Sequence, residues 1–252
     1  MCGICGCSEE TNQTINHEHH HKHAHIGDEY LINIEQNILA KNNQFAFHNQ
    51  QYFFKNKILA LNLMSSPGSG KTTLLAKTIS ALNKEIDIAV IVGDQQTNYD
   101  ADMIESSGGR ALQINTGKVC HLDAHRVSHG IEELSLKKKS LLFIENVGNL
   151  VCPSLFHLGE QFKVVLLSVT EGENKPLKYP DMFRFADLLL ITKTDLLPYV
   201  NFDLEWCQEY ARRINPDLDI LTLSAVSGKG LDEWYAWLLK AIATIRLESS
   251  LT

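Results

Sequence analysis

The segment from Lys57 to Ile79, KILALNLMSSPGSGKTTLLAKTI, constrains the fold more than any other part of the chain. Ile58, Leu59, Leu61, Leu63 and Met64 form an apolar run of strand length, and Ser65-Ser66-Pro67-Gly68-Ser69-Gly70 is a turn of small residues. Lys71, Thr72 and Thr73 then open a helical pattern that continues through Leu74, Leu75 and Ile79. A strand, a glycine-rich turn and a helix beginning G-K-T make a phosphate-binding P-loop. Backbone N–H groups must converge on a phosphate, which Gly68 and Gly70 permit, with Ser69 between them. The helix N-terminus adds partial positive charge. Lys71 is expected to reach the β- and γ-phosphates, and the Thr72 hydroxyl to ligate Mg²⁺. Ser65 occupies the position where the motif has its first glycine. An ordinary Gly/Ser turn is the competing reading, and the flanking strand and helix favour the P-loop.

The chain has 252 residues, enough for one α/β domain and a tail, and its net charge of −7 argues against a nucleic-acid partner. No apolar run is long enough to span a membrane, and the first residues lack the charged and apolar regions of a secretory signal, so a cytoplasmic protein is expected. The six cysteines are uneven: Cys2, Cys5 and Cys7 cluster, while Cys120, Cys152 and Cys207 are dispersed. Without a secretory signal, such a cluster suggests metal binding rather than a disulfide framework.

Residues 1–27 carry almost no aliphatic side chains and read as a metal-binding tail, with 28–252 as the folded domain and its helical arm. Cys2, Cys5 and Cys7, spaced by Gly3 and Gly6, can close on one ion. With the chain's α-amine they offer an S₃N set suited to Ni²⁺. A zinc knuckle or a redox thiol is the competing reading of this cluster. His17, His19, His20, His21, His23 and His25 follow; imidazoles suit Ni²⁺ and Zn²⁺, and a tag or solvated polar tail would look similar. Asp28 to Gln51 reads as a helix, with Ile32, Ile34, Ile38, Leu39, Phe45 and Phe47 as its apolar residues and His48 on its surface.

Further strands are expected at 86–92, 111–114, 140–144, 164–169, 188–191 and 217–223, with a closing helix over 231–245. Asp94 ends the second strand, where a carboxylate can serve Mg²⁺ or orient water, or cap a helix. Glu145-Asn146-Val147-Gly148 has the acid-x-x-Gly form of a nucleotide motif. Glu145 would hold Mg²⁺ through water, and the Gly148 N–H would meet the γ-phosphate. Thr192-Lys193-Thr194-Asp195 matches the guanine reader N/T-K-x-D, with the Asp195 carboxylate accepting from guanine and the Lys193 stem over the ring. Ser224-Ala225 would approach the guanine oxygen. Between these motifs lie Cys120 and His121, with His125 and His129 at one-turn intervals if the segment is helical throughout. Metal ligation and a polar helix face both fit that spacing. Cys152, four residues past Gly148, reads as a ligand on a switching loop or as a core thiol. Cys207 reads as core.

Together these residues resemble the HypB family of hydrogenase nickel-incorporation GTPases. The likeness is carried by Cys-x-x-Cys-x-Cys, the His-rich tail, SSPGSGKTTLL, GDQQT, NTGKVCHLDAH, ENVGNLVCP, TKTDLLPY and LSAVSGKGLDEW. Ser65 for Gly and Glu145 for Asp follow the family pattern, and Thr192 departs from the commoner Asn. The resemblance implies a P-loop G domain of the dimerising SIMIBI class, with a mainly parallel sheet of about seven strands and helices on both faces. It implies GTP hydrolysis to GDP with Mg²⁺, a GTP-dependent homodimer, and nickel delivery to a [NiFe]-hydrogenase large-subunit precursor. It also implies the small zinc protein HypA as partner and a metal site at Cys120, His121 and Cys152, with His125 as a further ligand. An accessory GTPase for urease or another metalloenzyme, and a nickel-storage protein, are the alternatives.

The base-reading motif makes a direct prediction. Asp195→Asn replaces an acceptor by a donor and should shift preference from guanine to xanthine nucleotides. The expected loss for GTP is about 1–3 kcal/mol, the scale of a bidentate base contact. Competition binding of GTP and XTP measures it, and unchanged GTP affinity would remove Asp195 as the reader.

Overall fold

The computed structural model describes residues 24–94, 99–117 and 119–248. The chain divides into two compact units, Met1–Asn37 and Ile38–Thr252, and every strand and site residue discussed below belongs to the second. Cys2, Cys5, Cys7 and the imidazoles of the tail lie outside the described residues.

Seven strands form one wholly parallel sheet among the described residues: β1 (Leu59–Ser65), β2 (Ile88–Asp94), β3 (Arg110–Asn115), β4 (Leu141–Glu145), β5 (Phe162–Ser168), β6 (Leu188–Thr192) and β7 (Asp219–Thr222). Their order is β3-β2-β4-β1-β5-β6-β7. The chain leaves β1, builds β2 and β3, then inserts β4 between β2 and β1. Only afterwards does it cross to β5. The carboxyl ends of β1, β2 and β4 therefore meet at the topological switch, where open α/β sheets bind ligands.

All seven residues of β1 are buried, as expected of a central parallel strand covered on both faces. Side-chain alternation divides the core. Leu59, Leu61 and Leu63 pack under α2 (Lys71–Leu82), α3 (Tyr99–Ser106) and α9 (Leu231–Glu248). On the opposite face, Ala60, Ile91 and Ile144 meet Phe53 of α1 (Ala24–Asn56) with Val127 and Ile131 of α4 (Ala124–Leu134). Further along that face, Met64, Val165 and Leu189 meet Met182 and Phe183 of α7 (Pro180–Arg184) and Cys207 of α8 (Leu204–Ile214). The Cys207 thiol is fully buried, and burial pushes it up to about 12, which fits an inert core residue.

Two expectations need correction. Helix α1 does not use Ile38 and Phe47 as its packing stripe, since both are exposed; Asn42, Ala46, Asn49 and Phe53 are buried instead. The asparagines are tolerated there because each finds backbone partners. Asn42 accepts from the Ala124 N–H, and Asn49 donates to the carbonyls of Ala124 and Leu158. His121 is also not helical. Helix α4 begins at Ala124, capped by the Asp123 carboxylate, which accepts from the Arg126 N–H at 2.9 Å. His121 therefore lies in the preceding loop and leaves the face shared by His125 and His129.

Trp234 links two helices on one face of the sheet: it is fully buried and its Nε1–H donates to Thr78 Oγ1 at 2.9 Å. Trp234→Ala should cost about 3–5 kcal/mol, from the cavity and the lost hydrogen bond to Thr78, whose hydroxyl still donates to the Leu74 carbonyl. The half-exposed Trp206 should cost far less when truncated. Urea denaturation of the two variants makes the comparison, and equal losses would contradict this assignment of the core.

Candidate functional site

The P-loop turns on Gly68 and Gly70, whose φ angles are +74° and +98°. Gly70 precedes α2 directly, so the first turn of that helix opens onto the cleft. The departure from the motif has a structural role. Ser65 Oγ accepts from the buried Lys71 Nζ at 2.8 Å and donates to the Ser66 carbonyl at 2.7 Å. Burial pulls the Lys71 pKa down, and the charge of Glu145 opposes that shift.

Glu145 ends β4 between Leu63 of β1 and Val92 of β2. Its carboxylate is 4% exposed and takes the Thr72 hydroxyl proton at 2.7 Å on Oε1. Burial raises its pKa to about 7 despite Lys71 and Thr72. Its buried Oε2 has no hydrogen-bond partner. A hydroxyl and an unsatisfied carboxylate oxygen beside a phosphate cradle are a hard-oxygen set that fits Mg²⁺. Asp94 lines the same cleft, and the described helix after it begins only at Tyr99. Asp100, in the first turn of α3, also lines the cleft and faces Lys71 electrostatically. Its signal was an acidic residue opening the helix after the second strand.

These groups surround a cleft of about 530 Å³ that includes Gly68, Ser69, Gly70, Lys71, Thr72, Thr73 and Gly148. Next to it, a pocket of about 230 Å³ is lined by Thr192, Lys193, Asp195, Ser224 and Ala225. The two share Ser69, Gly70, Thr73 and Lys193. A phosphate cradle adjoining a base-sized pocket suits a nucleoside triphosphate. Thr192 Oγ1 donates to the Ser69 carbonyl at 2.7 Å, and Lys193 Nζ donates to the Gly68 carbonyl at 2.6 Å, so the base reader is fastened to the P-loop. Lys193 adopts φ +59°, uncommon for a residue with a side chain. Asp195 Oδ1 is buried without a hydrogen-bond partner, an acceptor suited to the N–H edge of guanine. Another depression, of about 490 Å³, surrounds Phe162, Asp187, Asp219 and Trp237 and gathers none of these motifs.

A second cluster adjoins the cleft. Cys120 Sγ lies 3.0 Å from Cys152 Sγ and 4.0 Å from His121 Nδ1. One ligand atom from each residue falls within 4.8 Å of the others, and among the described residues this is the group with metal-ligand geometry. The His121 ring stacks on Phe156 at 4.0 Å, and burial lowers its pKa, keeping the imidazole neutral as a ligand must be. Burial and the neighbouring sulfur raise the Cys120 thiol to about 11. Two thiols and an imidazole fit Ni²⁺ or Zn²⁺. His125 is not in this group. Its Nε2 lies 3.1 Å from His129 Nε2 and its ring meets Phe45.

Gly148 brings the two sites together. A Cβ built on it would sit 2.8 Å from Pro67 Cα, so this loop touches the P-loop backbone and only glycine fits. Gly148→Ala should push the loop away and slow hydrolysis on the order of 10²-fold, the effect of losing one preorganised donor. GDP affinity should be nearly unchanged, because the expected diphosphate cradle, Gly68–Thr72, keeps all its residues. Single-turnover kinetics check this, and parental hydrolysis in Gly148→Ala would contradict the contact.

The chain is similar to known proteins in sequence and fold. Residues 59–222 match the family described as "CobW/HypB/UreG, nucleotide-binding domain". The chain is 57% identical over 208 residues to the hydrogenase maturation factor HypB of Azotobacter vinelandii, covering 82% of this chain and 69% of that one. It is 50% identical over 245 residues to HypB of Escherichia coli K12, covering 94% and 84%. A crystal structure of HypB from Helicobacter pylori in complex with nickel superposes with a TM-score of 0.77 at 40% identity, covering 81% of this chain and 96% of that one. The parallel sheet is that of the SIMIBI class of P-loop proteins. With residues 59–222 matching the family model and relatives 57% and 50% identical over most of its length, the chain belongs to the HypB family of hydrogenase maturation factors.

Proposed function

We propose that this chain is a GTP-hydrolysing nickel metallochaperone that binds nickel and delivers it during maturation of [NiFe]-hydrogenase. The observation that carries the reading is that Glu145–Cys152 is one short segment contributing to both sites: Glu145 and Gly148 line the cleft, and Cys152 lies beside Cys120.

In this reading the backbone of Gly68–Thr73 cradles the phosphates and Lys71 neutralises charge between β and γ. Asp195 and Lys193 select guanine, with Thr192, Ser224 and Ala225 shaping the pocket. Thr72 and, through water, Glu145 would hold Mg²⁺, which would supply charge neutralisation to the phosphates. Asp94 orients the attacking water. Positioning and electrostatics account for most of phosphoryl-transfer catalysis, so Lys71→Ala should abolish hydrolysis. Gly148 donates its N–H to the γ-phosphate, so loss of phosphate releases the loop that bears Cys152. Nickel is the cargo of Cys120, His121 and Cys152, for which Zn²⁺ competes. Residues 1–27, with Cys2, Cys5 and Cys7, are a metal-binding tail, and residues 28–252 the GTPase domain with its helical arm. A GTP-dependent homodimer, a HypA-type zinc protein and the hydrogenase large-subunit precursor are the partners, in the cytoplasm. Among the described residues no helix is long and apolar enough to cross a membrane, in keeping with that setting.

The test is a nickel titration of the parent with GDP and again with a non-hydrolysable GTP analogue. Metal affinity should differ by about 1–3 kcal/mol between the states, the usual size of coupling between linked sites, and nucleotide affinity should shift by the same factor. Cys152→Ala should abolish the difference and leave GTP binding intact. Equal nickel affinities in the two states of the parent would refute nucleotide-controlled loading.

A further inference from the structure

Two asparagines on either side of Gly148 fasten the nucleotide loop to the metal loop. Asn146 is 1% exposed. Its Oδ1 accepts from the N–H groups of Leu122 and Val147, both at 3.0 Å. Its Nδ2 donates to Asn62 Oδ1 in β1 at 3.2 Å. Asn62 in turn donates to Glu160 at 3.3 Å, and that carboxylate accepts the Leu158 N–H at 2.6 Å. The Asn146 amide is thus orientated by a buried chain that ends in a charge. Asn149 is half-buried: its Nδ2 donates to the Cys120 carbonyl at 3.3 Å and its Oδ1 accepts from the Val151 N–H at 2.8 Å.

The backbone is consequently held immediately before and immediately after His121, at the Cys120 carbonyl and the Leu122 N–H. The holding side chains follow Glu145 and Gly148 directly. Leu122 cannot slide towards β2, since a Cβ at Gly93 would already lie 2.7 Å from Leu122 Cγ. A shift of Gly148 relative to Pro67 therefore pulls on both sides of His121 and changes the distance from its imidazole to the two sulfurs.

We propose that Asn146 and Asn149 are positioning residues that transmit the nucleotide state to the Cys120–His121–Cys152 site. This rests on the reading that the site loads nickel under nucleotide control. Asn146 also lines the nucleotide cleft and Asn149 does not, so Asn149 carries the test without a place in the cleft lining. Their side chains carry displacement because buried hydrogen bonds are costly to leave unmade.

The experiment uses the full chain with Cys2→Ser, Cys5→Ser and Cys7→Ser. Ni²⁺ is followed by thiolate-to-nickel charge-transfer absorption, to which the tail imidazoles do not contribute. The quantity read is the ratio of Ni²⁺ affinities with GDP and with a non-hydrolysable GTP analogue. In this background the ratio should be about 5–150-fold, the range of linked sites. Asn149→Ala should bring it near unity while GTP affinity is retained. Asn149→Asp keeps the acceptor for Val151, loses the donor to Cys120 and adds a negative charge, so it should lose the ratio as well. A merely structural role in the turn would be rescued by Asp. Asn146→Ala should act in the same direction, and because it is buried its folding is checked by thermal unfolding. If it does not fold, the Asn149 pair decides. A parental ratio in Asn149→Asp and Asn149→Ala overturns the proposal while nucleotide control stands. A ratio of unity in the starting background refutes nucleotide control itself, and this proposal with it.

Discussion

The burial of one carboxylate, Glu145, is the constraint on which the site depends. The strand order inserts β4 between β1 and β2, so its last residue emerges in the middle of the sheet's carboxyl edge. A carboxylate with 4% exposure cannot remain charged without partners. Thr72 provides a hydroxyl, Lys71 opposes the charge, and burial still holds the pKa near 7. The uncommitted oxygen is what a hard cation needs. The same emergence point aims the next residues at Pro67 on one side and at Cys120 on the other. One topological fact thus sets the buried Glu145, the contact of Gly148 with Pro67 and the Cys152 thiol beside Cys120 within a single short segment.

The polar chain beneath this edge has a different physical role from the apolar core. Asn62, Asn146 and Glu160 lie among leucines and valines, where apolar residues would pack as well. Their hydrogen bonds are directional, so they fix which loop meets which. Asn42 and Asn49 of α1 act likewise on Ala124, holding the start of α4 and with it the loop before Asp123. The metal loop is therefore positioned from one side by a helix and from the other by the nucleotide segment.

Much of this was legible in the sequence because it is local. The P-loop, the parallel strands and the Thr192–Asp195 motif each announce themselves within a few residues, while the place of Cys152 after Gly148 left a ligand and a core thiol both open. What was misread required tertiary information or a neglected cap. Asp123 before Ala124 is an N-cap signal, and weighing it would have kept His121 out of the helix and separated it from His125. The buried asparagines carry no local mark, since on a helix or after a strand Asn is ordinarily solvated. Only the strand order brings the loop after β3 against the loop after β4. The exposure of Ile38 and Phe47 likewise follows from where α1 meets the sheet, which periodicity alone does not give.

The central claim is that the metal ligands and the γ-phosphate contact move as one unit. Nickel K-edge absorption spectroscopy tests it most directly, on the full chain with the tail cysteines replaced by serine, first with GDP and then with a non-hydrolysable GTP analogue. The account predicts two sulfur ligands and one imidazole in one nucleotide state, and a changed sulfur or imidazole shell in the other. Superimposable spectra with the same sulfur count in both states would contradict it and leave Cys120, His121 and Cys152 as a static site beside an independent GTPase.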